Sequence, residues 1–150
     1  MNMTSLARIY GQAFKLYAIK KVPYINYDEK GVAIYEYEYD ENKNVIEIRY
    51  YDEFKMPYHI NEVGPASIKK EYDSKSRLTK VRYLDIQGDL YTQAFPPVIE
   101  YSYNDLNQII EERMFIKDKQ LINYIAPIIR YTYDDENRIK TQSYFDANGN

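Results

Sequence analysis

The sequence predicts an all-β protein: tandem antiparallel β-hairpin repeats forming an elongated twisted sheet, with one N-terminal amphipathic helix as cap. Three observations predict it. Alternating segments that end in Tyr-Asp or Tyr-Asn recur at Tyr39, Tyr72, Tyr103 and Tyr133, which stand 33, 31 and 30 residues apart. Each is followed by a polar, turn-forming stretch and a second alternating segment, the signature of a hairpin. Every proline beyond Pro23 falls between these hairpins, where a missing amide hydrogen does no harm to a strand ladder.

Residues 4 to 20 differ in pattern from the rest of the chain. Leu6, Ile9, Tyr10, Ala13, Phe14 and Tyr17 recur at helical spacing, with Thr4 or Ser5 as N-cap and Pro23 as stop, and this predicts one amphipathic helix. Gly11 in its interior costs about 1 kcal/mol relative to alanine. Such a helix is the cap that the terminal unit of a repeat array needs; its functional reading is a partner-binding or membrane-surface helix. The chain thus divides into a cap over residues 1–23 and an array of about four hairpins over residues 24–150, forming one structural unit.

From Tyr24 the hydrophobic period changes to two. Asn26-Tyr27-Asp28-Glu29-Lys30-Gly31 reads as the end of a unit whose beginning is missing or has diverged into the helix. Ile34 to Tyr39 sets Tyr35, Tyr37 and Tyr39 on one face and Ile34, Glu36 and Glu38 on the other, as a strand does. Asp40-Glu41-Asn42-Lys43-Asn44 makes a hairpin loop, because Asp and Asn bond neighbouring backbone amides and tolerate left-handed conformations. The returning strand, Val45 to about Tyr51, places Ile46, Ile48 and Tyr50 on one face and Val45, Glu47, Arg49 and Tyr51 on the other.

The second copy runs from Ile68 to Asp73 and from Leu78 to Asp85. The third runs from Val98 to Asn104 and from Ile109 to Phe115, and the fourth from Ile128 to Asp134 and from Ile139 to Asp146. The period is about 31 residues. A tyrosine follows eleven residues after the first in three copies, at Tyr50, Tyr83 and Tyr144, and Met114 takes that place in the third. A second turn closes each unit, as in Asp85-Ile86-Gln87-Gly88 and Asp146-Ala147-Asn148-Gly149, with glycine where a positive φ angle is needed. The first copy has Asp52-Glu53-Phe54-Lys55 instead, and the third reaches its turn, Lys117-Asp118-Lys119-Gln120, about two residues late, which predicts a bulge or a longer strand. The sequence stops within this second turn of the fourth copy, as expected of an array cut from a longer one. One hairpin cannot bury its apolar face alone, so the copies must share a core with their neighbours.

Composition narrows the function classes. Lys and Arg number 20 against 23 Asp and Glu, a net charge of -3 with the signs interspersed. That balance offers nothing to steer nucleic acid or an anionic membrane. With no cysteine, disulfides and thiolate metal sites are excluded. The apolar residues of the first twenty are broken by Arg8, Gln12 and Lys15, so no secretory signal is expected, and no apolar run approaches the roughly 18 residues of a membrane span.

Chemistry-bearing motifs are few. His59, the only histidine, lies in a connector and has no partners for a zinc site, so a surface position is expected for it. The turns at Asp40 and Asp146 resemble the opening of a calcium loop, but the twelfth position of a loop that begins at Asp40 is Tyr51, where a bidentate glutamate is required. Paired carboxylates such as Glu36 and Glu38, or Glu111 and Glu112, would have to flank a cleft for glycoside chemistry, and the place of Glu38 is held in later copies by Glu71, Ser102 and Thr132. There is no phosphate-binding loop or dinucleotide fingerprint. The sequence therefore predicts no enzyme, no cofactor and no metal. The remaining constellation is a tyrosine face: Tyr35, Tyr37, Tyr39, Tyr101, Tyr103, Tyr131 and Tyr133, on equivalent faces of successive first strands. It serves as sheet packing or as a set of aromatic anchors for a ligand.

Tyr-Glu-Tyr-Asp at 37–40, Tyr-Ser-Tyr-Asn at 101–104 and Tyr-Thr-Tyr-Asp at 131–134, each followed by a polar-then-aliphatic step (Asn44-Val45, Gln108-Ile109, Arg138-Ile139), resemble the tyrosine–aspartate (YD) repeats of bacterial Rhs-like surface or secreted proteins. The resemblance spans about residues 24 to 150. It implies antiparallel hairpins joined into a sheet, and a place in a longer bacterial surface or secreted protein. The period is longer than the usual Rhs unit, and the turns at Asn42-Lys43 and Lys75-Ser76 lack the family's glycine; four copies are also too few for the closed shells some members build. Hairpin repeats of the MORN type are a weaker likeness. The expected function is a non-catalytic module for protein–protein contact, self-association or scaffolding, with carbohydrate binding through exposed tyrosines as the alternative.

Overall fold

Strands β1 (Ile34–Tyr39), β2 (Val45–Tyr51), β3 (Ser67–Tyr72), β4 (Leu78–Leu84), β5 (Val98–Tyr103), β6 (Ile109–Lys117), β7 (Gln120–Leu121), β8 (Ile128–Tyr133) and β9 (Ile139–Phe145) make one antiparallel sheet. The computed structural model describes residues 27–150, apart from 94–95, 118–119 and 124–125. The protein is all-β over these residues, with a single 3-10 turn at Ile60–Glu62. The helix expected over residues 4–20 lies outside the described residues. So do residues 24–26 at the start of the expected array and the middle of the late turn, Asp118 and Lys119.

The sheet order is β1-β2-β3-β4-β5-β6-β8-β9, with the short β7 paired to β6. Chain order and spatial order coincide, as consecutive strands usually pair with their neighbours in sequence. Four hairpins have the same internal geometry. In each, the register shifts at the last residue of the first strand, so that Tyr39 faces Val45, Tyr72 faces Leu78, Tyr103 faces Ile109 and Tyr133 faces Ile139. This bulge corrects the strict alternation expected for β2. Ile46 is the extra residue, and Val45 lies opposite Tyr39 on the tyrosine side, because paired residues share a face.

The loops explain the bulge. Lys43, Ser76, Asn107 and Asn137 all have positive φ, between 58° and 67°, and the first loop residue locks each turn. The Oδ1 of Asp73 accepts from the amides of Lys75 and Arg77, that of Asn104 from Leu106 and Gln108, and that of Asp134 from Glu136 and Arg138. The second turns repeat the device at Asp52, Asp85 and Asp146. Gly88 and Gly149 take φ angles of 85° and 84° there, and Lys55 accepts 61° in the turn without glycine. β6 is nine residues long where β2, β4 and β9 have seven.

The core lies at the base of the hairpins, away from the loops. Val98 faces Phe115 and Ser67 faces Leu84 at that end, and all four are buried. The connectors fold back to complete the core: Tyr91 and Ile122 are buried, as are Pro97 and Pro127. The two prolines stand next to strands yet cost no ladder bond, since they contribute carbonyls, which accept from the amides of Tyr83 and Met114 at 2.9 and 2.8 Å.

Candidate functional site

The seven tyrosines share one side of the sheet, but they do not stack into a continuous ladder. Each first strand is separated from the next by a returning strand, so rings on successive first strands stand about two strand spacings, roughly 9.6 Å, apart. Across that gap Tyr101 is paired with Glu112, and Glu112 with Ile129. The Tyr131 hydroxyl donates to Glu112 at 2.8 Å. The face is a mosaic of tyrosine, aliphatic and acidic side chains.

The individual positions differ. Tyr35 donates to Asp28, packs edge-on against Tyr50 at 5.4 Å and stacks on Tyr37 at 6.4 Å. Burial pushes the Tyr35 hydroxyl pKa well up, and its bond to Asp28 adds to this. Tyr101 is half-buried, and burial followed by the Glu112 charge raises it to about 12. Tyr131 is also raised to about 12, by burial and then by its bond to Glu112. Tyr37 and Tyr39 are the open members, 48 % and 56 % exposed.

Tyr103 and Tyr133 spend their hydroxyls on the backbone. They donate to the carbonyls of Leu78 and Ile109, both at 2.7 Å, and Tyr72 does the same to Val45 at 3.0 Å. Each acceptor is the first residue of the preceding hairpin's returning strand. Tyr72 was absent from the set expected from sequence, yet it makes this bond; its signal was its place before Asp73 in the second copy. The rows of loops are joined too: the side chain of Asn44 donates to Ser76, that of Arg77 to Asn107 and to the Asn104 carbonyl, and that of Gln108 to Asn137, at 3.1 to 3.3 Å. Arg77 also lies 4.8 Å over the Tyr103 ring. These fifth loop residues are the polar half of the polar-then-aliphatic step, and strand order alone gives them partners.

The opposite side carries charge in rows. Glu47 faces Lys69, Lys80 faces Glu100 and Glu111 faces Arg130, one opposite-charge pair at each junction between hairpins. Lys80 and Glu100 meet at 2.6 Å, and Arg130 and Glu111 at 2.8 Å. An open groove of about 420 Å³ runs along this side between Glu71, Lys80, Glu100, Glu111 and Arg113, lined by these paired charges.

The paired carboxylates are engaged rather than poised. Glu36 accepts from Tyr51 at 2.8 Å, which holds its pKa below the usual carboxylate value against the opposing effect of burial. Glu38 binds Arg49 at 2.8 Å. Burial works to raise Glu111, but hydrogen bonds from Arg113 and Arg130 outweigh it and lower the group. A general acid for glycoside chemistry needs the opposite shift. The Oδ1 and Oδ2 of Asp40 both bond Asn44, at 2.8 Å, so the loop expected to resemble a calcium site directs its carboxylate into its own turn. Among the described residues no group of three acidic, histidine or cysteine side chains is arranged to hold a metal. His59, expected at the surface, is half-buried: its Nδ1–H donates to the Gly64 carbonyl at 2.7 Å and its ring lies 5.5 Å from that of Tyr91. Its role is to pin the connector. No helix among the described residues is long and apolar enough to cross a membrane. The chain matches no family model and no curated protein.

Proposed function

We propose that the chain is a non-catalytic tandem hairpin-repeat module of the tyrosine–aspartate (YD) type, serving protein–protein contact or scaffolding within a larger bacterial surface or secreted protein. One observation carries the reading: the groups that could do chemistry are spent on neighbouring hairpins. Tyrosine hydroxyls bind backbone carbonyls one hairpin away, and carboxylates are held by lysine and arginine across the second and third junctions. Such an array twists as strands are added and presents long edges and broad faces, which suit a protein partner.

Carbohydrate binding is the second reading. The half-exposed rings of Tyr37 and Tyr39 favour it, since stacked aromatics with accessible faces are what a sugar needs. Cross-linking of the native full-length protein, followed by mass spectrometry, tests the first reading against a glycan array. Reproducible cross-links from Lys69, Lys80 or Lys140 to a protein, with no glycan signal above background, are the expected result. Glycan binding abolished by Tyr37→Ala would overturn it in favour of the sugar.

A further inference from the structure

The first junction between hairpins departs from the other two at its floor. The amides of Tyr50, Tyr83 and Met114 donate to the carbonyls of Ala66, Pro97 and Pro127, so these three residues hold one place in the repeat, and the residue after each is Ser67, Val98 or Ile128. Val98 and Ile128 are 0 % and 3 % exposed and fill their junctions with apolar side chains. Ser67 is 8 % exposed, and its hydroxyl makes no hydrogen bond among the described residues. Where the later junctions are filled, this one holds a groove of about 220 Å³ with Ala66 and Ser67 on its floor.

Tyr51, Pro57 and Ile86 give the groove apolar walls, and Glu47, Arg49 and Asp85 give it charged ones. The Tyr51 ring is held by its hydroxyl, which donates to Glu36 at 2.8 Å. Arg49 is already engaged: it pairs with Glu47, with Glu38 at 2.8 Å and with Glu36 at 3.6 Å. Lys55 reaches Glu36 at 3.5 Å from an exposed position. Three carboxylates therefore share two cations, and Asp85 adds a fourth, bonded to the amides of Gln87 and Asp89. Lys69 stands opposite Glu47 in the register, yet among the described residues no ion pair joins them. At the later junctions Lys80 and Glu100 close to 2.6 Å, and Arg130 and Glu111 to 2.8 Å. The first junction thus carries an excess of negative charge beside an unpaired, buried hydroxyl.

We infer that this groove is the anchor pocket for a lysine side chain of a protein partner. Its volume lies below the roughly 300–1,000 Å³ of drug-sized sites, which suits a single side chain. A lysine lays its carbon stem along Tyr51, Pro57 and Ile86 and keeps its ammonium at the charged walls. There Glu47 accepts from one of its donors and the Ser67 hydroxyl from another. An acidic side chain would meet Glu47 and Asp85 with like charge, and an apolar one would strip water from Glu47 and Ser67 without replacing its bonds. The pocket lies inside the sheet, between β2, β3 and the turn after β4, so it is complete without any added strand. The inference rests on the protein-contact reading and names a site and the partner group it takes.

The full chain is titrated with Nα-acetyl-lysine methylamide, a lysine side chain on a blocked backbone, while the amide NMR signals of Ser67 and Gln87 are followed. Saturable shifts at millimolar concentration are expected, since one anchor side chain supplies only part of an interface. Nα-acetyl-norleucine methylamide, which lacks the charge, should bind at least about tenfold more weakly, and Glu47→Gln should weaken the lysine probe by about the same factor. Ser67→Val gives this place the side chain that Val98 has; it should abolish the shift at Gln87 while the signals of β5 and β6 stay unchanged. Equal binding of the two probes overturns the inference, as does lysine binding undiminished in Ser67→Val, or no shift at all. Binding of n-butylammonium without binding of the blocked lysine overturns it in favour of a free amine. If the lysine probe fails while a cross-linked protein is still found, only the pocket falls. If glycans bind and no protein is captured, the protein-contact reading falls and takes the partner with it.

Discussion

The hydroxyl of Tyr103 donates to the backbone carbonyl of Leu78, 2.7 Å away and 25 residues earlier in the chain. This bond ties the third hairpin to the second at the loop end, where the apolar core does not reach. Removing it by Tyr103→Phe leaves a part-buried carbonyl with one acceptor site unmet and should lower stability by about 0.5–1.5 kcal/mol. Tyr39→Phe, on the edge strand β1 and 56 % exposed, should stay within about 0.5 kcal/mol of the parent. Urea unfolding of both variants separates them; equal losses would contradict the inter-hairpin role of the hydroxyl.

Arg77 joins three elements at one loop. It pairs with Asp73 at 2.7 Å, donates to the Asn104 carbonyl and Asn107, and lies over the Tyr103 ring. Arg77→Lys keeps the charge but loses the planar fork. It should destabilise by roughly 1 kcal/mol, close to the effect of Arg77→Ala. Near-parental stability of the lysine variant in a urea titration would mean that charge alone matters there.

Acid should loosen the loops first. Asp73, Asp134 and Asp146 are held below the normal carboxylate pKa, chiefly by backbone amides of Arg77, Arg138 and Asn150. A group lowered in the folded state contributes stability that is complete above the unfolded carboxylate value, about 4, and is lost as pH falls through the folded value. Asn104 occupies the same place in the third hairpin and cannot titrate. Asp73→Asn with Asp134→Asn should therefore flatten the decline below about pH 4, measured as midpoint against pH; an unaltered decline would show that these turns do not govern it.

Alkali acts through buried tyrosines. Burial raises Tyr50, Tyr101 and Tyr131 to about 12, above the unfolded value of about 10. The folded state then holds more protons between those values, so stability is complete below about pH 10 and falls as pH rises toward 12. The late rise in tyrosinate absorbance, from Tyr50, Tyr101 and Tyr131, should coincide with loss of far-ultraviolet β signal. A single step at pH 10 with the sheet intact would contradict this.

The base of the sheet should be the most sensitive region. Ile122 is fully buried and its amide donates to the Met114 carbonyl at 3.1 Å. Ile122→Ala should cost about 2–5 kcal/mol, against a change within about 0.5 kcal/mol for Leu106→Ala, which lies 69 % exposed on a loop. Thermal unfolding of the two variants checks the contrast.

By itself the sequence determined what depends on near neighbours. Period-two alternation marked the strands of all four hairpins to within about a residue, except that β6 runs two residues past the expected Phe115, and Asp, Asn and Gly marked both kinds of turn, because strand alternation and turn bonding act within five residues of chain. The lengthened β6 was legible for the same reason. The bulge after each tyrosine was not, since it moves one residue across the sheet without changing composition. Only the tertiary structure decided which tyrosines are spent and which are open. The acceptors of Tyr72, Tyr103 and Tyr133 lie 24 to 27 residues away, in a strand that becomes a neighbour only when the hairpins line up in order. The same ordering leaves Tyr37 and Tyr39 on one edge strand and Tyr144 on another, so tyrosines alike in sequence differ in exposure because position in the sheet, not local pattern, sets how many neighbours each one has.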